Sequence, residues 1–264
     1  MASKHPRGLY VLFFTEMWER FGFYLLSALL IFYLTEKMHF AEDRAAGWMG
    51  NYLALVYLSP FFGGLLADRY LGYRRAVLLG AALLSAGYFM LAVEGMVALY
   101  CAVGLLVLGN GLFKPNISTQ VGNLYPQGDS RRDSAFSIFY LGINIGAFLS
   151  PFVGEIVRQR YGFPAAFAVA GVGMLASMAI FAGFHHHIAV ANTPSSLSAV
   201  LDIPLPQEYE DPRDPPEVER KRITAVLIIC GIVMLFWMAF QQNAITLSLW
   251  ARDNTIRTLM LPGL

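Results

Sequence analysis

The chain has 264 residues, of which 56% are hydrophobic and only 14% are charged, and its mean hydropathy is +0.52. This composition excludes an ordinary soluble domain and indicates a protein that crosses the bilayer several times. The formal net charge of +1 gives no electrostatic support for binding to nucleic acid, so we expect no such partner.

Seven apolar segments are long enough to cross a bilayer, which takes about 20 residues. Their predicted bounds, in chain order, are 8–34, 46–66, 76–93, 96–122, 134–157, 165–184 and 223–242. The sequence therefore predicts an all-α membrane protein: a bundle of six transmembrane helices over 1–184, a cytoplasmic linker over 185–222, and a seventh helix with the start of an extracytoplasmic loop over 223–264. Lysine and arginine are more frequent on the side of the N-terminus, which we therefore expect in the cytoplasm.

Three charged residues, Glu16, Glu19 and Arg20, interrupt the first apolar segment. A charged side chain at the bilayer centre costs roughly 2.5–3.5 kcal/mol on insertion scales, so such residues are functional candidates by default. Their spacing places them on one helix face, which Tyr24 and Ser27 continue. Two carboxylates for one guanidinium leave one negative charge without a partner. The plainer alternative is a self-neutralising group that merely tolerates burial.

The second segment ends in a loop that resembles the loop motif of the major facilitator superfamily, with glycines and charged residues at fixed spacing. The residues of this motif are Gly64, Asp68, Arg69, Gly72, Arg74 and Arg75. Gly72 allows a tight turn, and Asp68 can cap or pair with the end of a neighbouring helix. A loop whose arginines only hold the membrane orientation is the alternative.

The fourth segment contains a further buried charge, Lys114. The preceding Gly109 and Gly111 favour close helix packing, since no strand precedes them as a phosphate-binding loop would need. Pro115 removes a helix hydrogen bond and permits a kink.

Depth along the helices connects these residues. At 1.5 Å per residue, Glu16 and Lys114 lie about 12–13 Å from the cytoplasmic ends of their helices, and Tyr57 and Asn144 lie roughly 15–16 Å from theirs. We therefore expect Lys114 to neutralise the surplus carboxylate of Glu16 and Glu19, because removal of either charge would strand the other.

The linker begins with His185-His186-His187. Consecutive helical residues cannot all face one metal, so we interpret the triplet as a helix end at the membrane interface and expect no metal site. We see no Ser/His or paired-aspartate constellation at membrane depth, and we therefore expect no enzyme and no catalytic residues.

Glu16-x-x-Glu19-Arg20-Phe21, the segment 113–116 and the segment 139–146 together resemble the proton-dependent oligopeptide transporter (POT/PTR) family of the major facilitator superfamily. The resemblance spans essentially the whole chain. It implies a major-facilitator fold, alternating access and proton-driven uptake of di- and tripeptides, with protons as the coupling ion and no cofactor. The implied residues for proton coupling are Glu16, Glu19, Arg20 and Lys114, and those for peptide binding are Tyr24, Tyr57 and Asn144.

The sequence departs from the family pattern at three positions. Relatives often have a second tyrosine where Phe23 stands, and they usually have arginine in place of Ser27 and glutamate in place of Gln241. Ser27 and Gln241 each lie roughly 28 Å from a cytoplasmic helix end, where the charged residues of relatives can form an ion pair. Here both are neutral, so we keep them as candidate substrate-binding residues and expect altered gating or substrate.

Transporters of this type have two six-helix halves around a central site. The chain accounts for one half, a linker and one more helix, so we expect a truncated fold of twelve or more helices that lacks its C-terminal bundle as a partner. The favoured function is the N-terminal part of a proton-coupled peptide symporter in a bacterial inner membrane, in contact with lipid and with small peptides. The alternatives are a carrier of another small solute, such as an anion, and a transport-inactive membrane fragment.

Overall fold

The computed structural model describes residues 4–126, 128–192 and 216–255. The chain forms two compact units, Met1–Ile203 and Pro204–Leu264, and each is described here by itself. Within the described ranges, six helical stretches are long and apolar enough to cross a membrane. The chain is an integral, multi-pass membrane protein, as its composition predicted.

The described residues of the first unit form five α-helices and three short helical extensions. They are α1 (Arg7–Phe32) with a π-helical turn (Tyr33–Lys37), α2 (Glu42–Leu66) with a π-helical turn (Ala67–Leu71), α3 (Tyr73–Leu91), α4 (Met96–Asn123), α5 (Arg131–Gly183) and a 3₁₀ helix (His185–Asn192). The first four match the predicted segments to within a few residues.

Helix α5 is two antiparallel arms rather than one long rod. At 1.5 Å per residue its 53 residues would span about 80 Å, far more than the roughly 30 Å of hydrocarbon in a bilayer. Gly162 has φ 83° and ψ 175°, a conformation that favours glycine, and it divides α5 into a first arm (131–161) and a second arm (163–183). These arms are the predicted fifth and sixth helices, joined at one glycine.

The first arm runs parallel to α1. Gly142 lies against Phe13, near the start of α1, and Gly154 lies against Leu25, further along it.

The second arm runs antiparallel to α1. Phe163 packs edge-on against Tyr33 at the end of α1, and Ser177 donates a hydrogen bond to the Thr15 carbonyl at 2.8 Å. Both arms thus pack on α1, and the charged residues within its apolar stretch, Glu16, Glu19 and Arg20, are buried.

Glycines of α4 allow its close contact with two neighbours. A β-carbon on Gly109 would lie 2.8 Å from the Leu84 side chain of α3, and one on Gly111 would lie 2.8 Å from the Ser59 carbonyl of α2. The close approach that the sequence predicted for these glycines is confirmed.

The loop motif between α2 and α3 is mostly helical. The π-helical turn continues to Leu71, and the chain reverses at Gly72 with φ 70°. Asp68 and Arg69 are exposed on the turn. The tight turn at Gly72 is confirmed, while the pairing role of Asp68 stays a prediction. The other members of the motif are Gly64, on which a β-carbon would lie 3.7 Å from Pro115 of α4, and Arg74 and Arg75, which are exposed at the start of α3.

The second unit contains α6 (Pro216–Phe240), a 3₁₀ helix (Gln241–Ala244) and α7 (Thr246–Asn254). Helix α6, which corresponds to the predicted seventh transmembrane helix, begins seven residues before the predicted start at 223. The short helix α7 follows where we expected a loop. The predicted linker 185–222 is helical in both of its described ends. Its residues 193–215, like residues 256–264 of the last predicted segment, lie outside the described ranges.

Candidate transport site: a buried charge network between α1 and α4

A guanidinium and a carboxylate pair tightly on α1. Glu19 is 1% exposed and Arg20 is 8% exposed. Arg20 Nε lies 2.5 Å from Glu19 Oε2, and Arg20 Nη2 lies 2.7 Å from Glu19 Oε1. A two-point contact of this kind is the strong form of an arginine–carboxylate pair. One positive and one negative charge are thereby neutralised.

The remaining carboxylate, Glu16, is fully buried and finds its partner on another helix. Lys114 of α4 donates a hydrogen bond to Glu16 Oε1, from which Arg20 Nε is 3.4 Å away. The expectation that Lys114 neutralises the surplus carboxylate is confirmed. The self-neutralising alternative required the charged group to be confined to α1. The contact with Lys114 of α4 contradicts that alternative.

The other oxygen of the same carboxylate has a different environment. Glu16 Oε2 is buried and has no hydrogen-bond partner among the described residues. The Glu16 carboxylate is therefore held by Lys114 through one oxygen only.

Lys114 also faces open space. Its side chain is 28% exposed. It lines a cavity of ≈ 530 Å³ whose other lining residues are Ser118, Phe136, Ser137, Phe139, Tyr140 and Ile143. The lysine therefore connects a fully buried carboxylate to a cavity that a small solute can enter.

The tyrosines predicted to bind substrate lie on exposed surface of α1 and α2. Tyr24 is 36% exposed and Tyr57 is 60% exposed. Tyr24 lies near Tyr57 and near Tyr140 of the first arm of α5, which is 62% exposed. Three helices thus direct phenol groups to one region.

Sequence reasoning missed Tyr140, although it stands four residues before Asn144 and so on the same helix face. Asn144 is exposed, and its amide donates to the Tyr140 carbonyl at 3.1 Å. The described lining of the cavity beside Lys114 includes Tyr140 but not Tyr24, Tyr57 or Asn144. Substrate binding by Tyr24, Tyr57 and Asn144 stays a prediction.

The two neutral positions lie in different units. The Ser27 hydroxyl donates to the Phe23 carbonyl of its own helix at 2.9 Å. Gln241 begins the 3₁₀ helix of the second unit. The expected contact between Ser27 and Gln241 also stays a prediction.

An ion pair lies at the end of the bundle where α1 begins. Arg131 makes hydrogen bonds to both carboxylate oxygens of Asp129, at 3.0 Å and 2.6 Å, and its Nη1 donates to the Lys4 carbonyl at 3.0 Å. The side-chain and backbone hydrogen bonds from Arg131 lower the pKa of the Asp129 carboxyl to about 2. Asp129 therefore stays ionised throughout the physiological pH range.

Sequence comparisons show that this chain is similar to known transporters. The sequence profile described as "PTR2: POT family" matches residues 74–202. The chain is 43% identical over 203 residues to "Uncharacterized transporter YclF" of Bacillus subtilis (strain 168), covering 74% of this chain and 41% of that protein. It is 35% identical over 249 residues to "Di-/tripeptide transporter" of Lactococcus lactis subsp. cremoris, covering 90% of this chain and 47% of that protein.

Solved structures show the same fold. A peptide transporter POT (E310Q mutant) in complex with sulfate superposes with a TM-score of 0.69 at 40% identity, covering 89% of this chain and 46% of that one. A POT family transporter in complex with 5-aminolevulinic acid superposes with a TM-score of 0.70 at 33% identity, covering 94% and 50%. The chain spans half or less of the length of each of these proteins.

Proposed function

Since this chain belongs to the POT family, we propose that it forms the N-terminal bundle of a proton-coupled symporter for di- and tripeptides that works by alternating access. The observation that carries this proposal is the ion pair between Glu16 of α1 and Lys114 of α4, buried on one side and open to a cavity on the other. We further propose a bacterial inner membrane and a cytoplasmic N-terminus, from the bias of lysine and arginine between the two sides.

The pair suggests how a proton and a peptide are coupled. In a low-dielectric site, Lys114 needs an anionic partner, and Glu16 supplies it while ionised. When Glu16 takes up a proton, Lys114 loses that partner and faces the cavity. The carboxylate of a peptide can then replace Glu16 beside the ammonium, so that proton uptake and substrate binding favour each other. The only ion that this cycle needs is the proton.

A carrier of another small solute is the second candidate. Its support is the neutral Ser27 where relatives usually have arginine, because a cation there would attract a peptide carboxylate. A family member that holds 5-aminolevulinic acid makes small amino-acid-like solutes the first alternatives to test.

The test is uptake into proteoliposomes by the protein from the complete reading frame. A labelled dipeptide should accumulate above equilibrium when the outside is acidic, and a protonophore should abolish the accumulation. Glu19→Gln should lose accumulation while retaining some exchange of substrate across the membrane, if this carboxyl serves the proton rather than the fold. Accumulation of 5-aminolevulinic acid but not of peptides would favour the second candidate, and a lack of all uptake would favour a transport-inactive fragment.

A further inference from the structure

A side chain of α4 completes the backbone hydrogen bonding of α2. Pro60 lies inside α2 and has no N–H, so the Val56 carbonyl one turn earlier lacks its helical donor. Asn110 Nδ2 donates to this carbonyl at 2.9 Å, and Ser59 Oγ donates at 3.3 Å. Val56 is 3% exposed and Asn110 is 4% exposed. At this depth an unpaired carbonyl would be costly, so the bond holds Asn110 firmly.

The Val56 carbonyl also determines the orientation of the Asn110 side-chain amide. Asn110 Oδ1 lies 3.5 Å from Arg20 Nη2. A carbonyl only accepts hydrogen bonds and a guanidinium only donates them. One orientation of the amide therefore matches both partners, with Nδ2 toward Val56 and Oδ1 toward Arg20. The reverse orientation would set oxygen against oxygen and N–H against N–H.

Arg20 stands between two carboxylates and can serve either. It now binds Glu19 at two points, while its Nε remains 3.4 Å from Glu16. Asn110 stands one helical turn before Lys114 on α4 and contacts the guanidinium from that side. We propose that Asn110 is the positioning residue that keeps Arg20 on Glu19 and thereby leaves Glu16 to Lys114. Its consequence for transport rests on the function proposed above.

The test changes only uncharged residues, so every titratable group around Arg20 remains in place. These groups among the described residues are Glu16, Glu19 and Tyr24 of α1, Tyr52 of α2, Tyr88 of α3 and Lys114 of α4. A changed titration would therefore report a changed arrangement of these groups.

The experiment is an infrared pH titration of the carboxylic-acid band in the purified full chain, which needs no substrate; a Glu16→Gln reference spectrum serves only to identify the Glu16 component of the band. Asn110→Leu removes both hydrogen bonds, and Arg20 can then turn from Glu19 toward Glu16. The guanidinium then faces Glu16 instead of Glu19, so the midpoint of the Glu16 component should shift to lower pH by roughly one unit, the effect of one hydrogen bond to a charged group.

Asn116→Leu is the matched control. Asn116 is 1% exposed on the same helix, and its amide donates to the Leu112 carbonyl of that helix at 2.6 Å. Loss of a buried asparagine should destabilise both variants, but Asn116→Leu should keep the parent's midpoint. Equal shifts in the two variants, or no shift in Asn110→Leu, would overturn the proposal.

Pro60→Ala tests the same inference if Asn110→Leu does not fold. The new N–H offers the Val56 carbonyl a helical donor that competes with Asn110, so we expect a smaller midpoint shift in the same direction with unchanged or higher thermal stability. An unchanged midpoint would contradict the inference. Because the titration is independent of transport, absent uptake would count against the proposed function alone.

Discussion

The ammonium of Lys114 contacts one oxygen of the Glu16 carboxylate, and the other oxygen is buried without a hydrogen-bond partner among the described residues. Each charge of this pair is therefore the main compensation for the other in a low-dielectric site.

Removing the lysine should destabilise the protein and stop proton-driven uptake. Lys114→Ala strands a fully buried carboxylate, at a cost of about 3–5 kcal/mol if Glu16 stays ionised. The double variant Glu16→Gln/Lys114→Ala should recover thermal stability, since no unpaired charge remains, but not uptake. Equal pH-driven uptake by Lys114→Ala and the parent would contradict a role of Lys114 in proton coupling. A double variant as unstable as the single one would contradict the pairing of Glu16 with Lys114.

A methyl group at the contact between α2 and α4 should be poorly tolerated. In Gly111→Ala the β-carbon would meet Ser59 backbone and side-chain atoms at 2.8–2.9 Å, and such overpacking costs roughly 1–3 kcal/mol. Gly104→Ala is the matched control on the same helix, because nothing lies within 4 Å of its new β-carbon. That variant should be neutral or up to about 1 kcal/mol more stable. Thermal unfolding of both variants checks the contrast, and similar melting temperatures would mean that the helices do not touch at Gly111.

The Asp129–Arg131 pair should make stability depend on pH at the acidic end. Hydrogen bonds from Arg131 lower the pKa of Asp129 to about 2 in the folded protein, whereas an unpaired aspartate titrates near 3.9. The stabilisation is therefore fully present above about pH 4 and is lost as the pH falls through about 2. Asp129→Asn should melt earlier than the parent at neutral pH, and the gap should close as the pH approaches 2. Arg131→Lys, which keeps the charge but not the two-point contact, should lie between them; a gap independent of pH would exclude the ion pair as its cause.

The neutral residues Ser27 and Gln241 allow a test of whether the two positions meet. Ser27→Arg alone should be harmful because it introduces an unpaired cation, and Gln241→Glu alone should be harmful or become neutral by protonation. The double variant should recover part of the loss, with a coupling on the order of 0.5–3 kcal/mol for residues in contact. Thermal stability and uptake of the parent, both single variants and the double variant provide the cycle. Strictly additive effects would show that Ser27 is an ordinary packing serine.

Local patterns were enough to predict the membrane class, the four helices from α1 to α4 and the common depth of Glu16 and Lys114. Length, hydropathy and the rise of a helix are properties of each segment alone, so they can be read without knowing the neighbours. The same patterns did not predict that α6 begins at Pro216, because its first turns are polar and charged. Helix ends are decided by backbone hydrogen bonds and not by hydropathy.

The choice of partners within the charge network was decided only by the tertiary structure. Helical spacing offered Arg20 to Glu16, four residues away, yet its two-point contact is with the adjacent Glu19. The Glu16 carboxylate pairs instead with Lys114, which lies 98 residues away in sequence. The position of Asn110, held by a carbonyl that Pro60 leaves free, is decided in the same way. Sequence fixes which groups are buried and how deep they lie, but an ion pair forms at a separation of a few ångströms, and that separation is set by how α1, α2 and α4 pack.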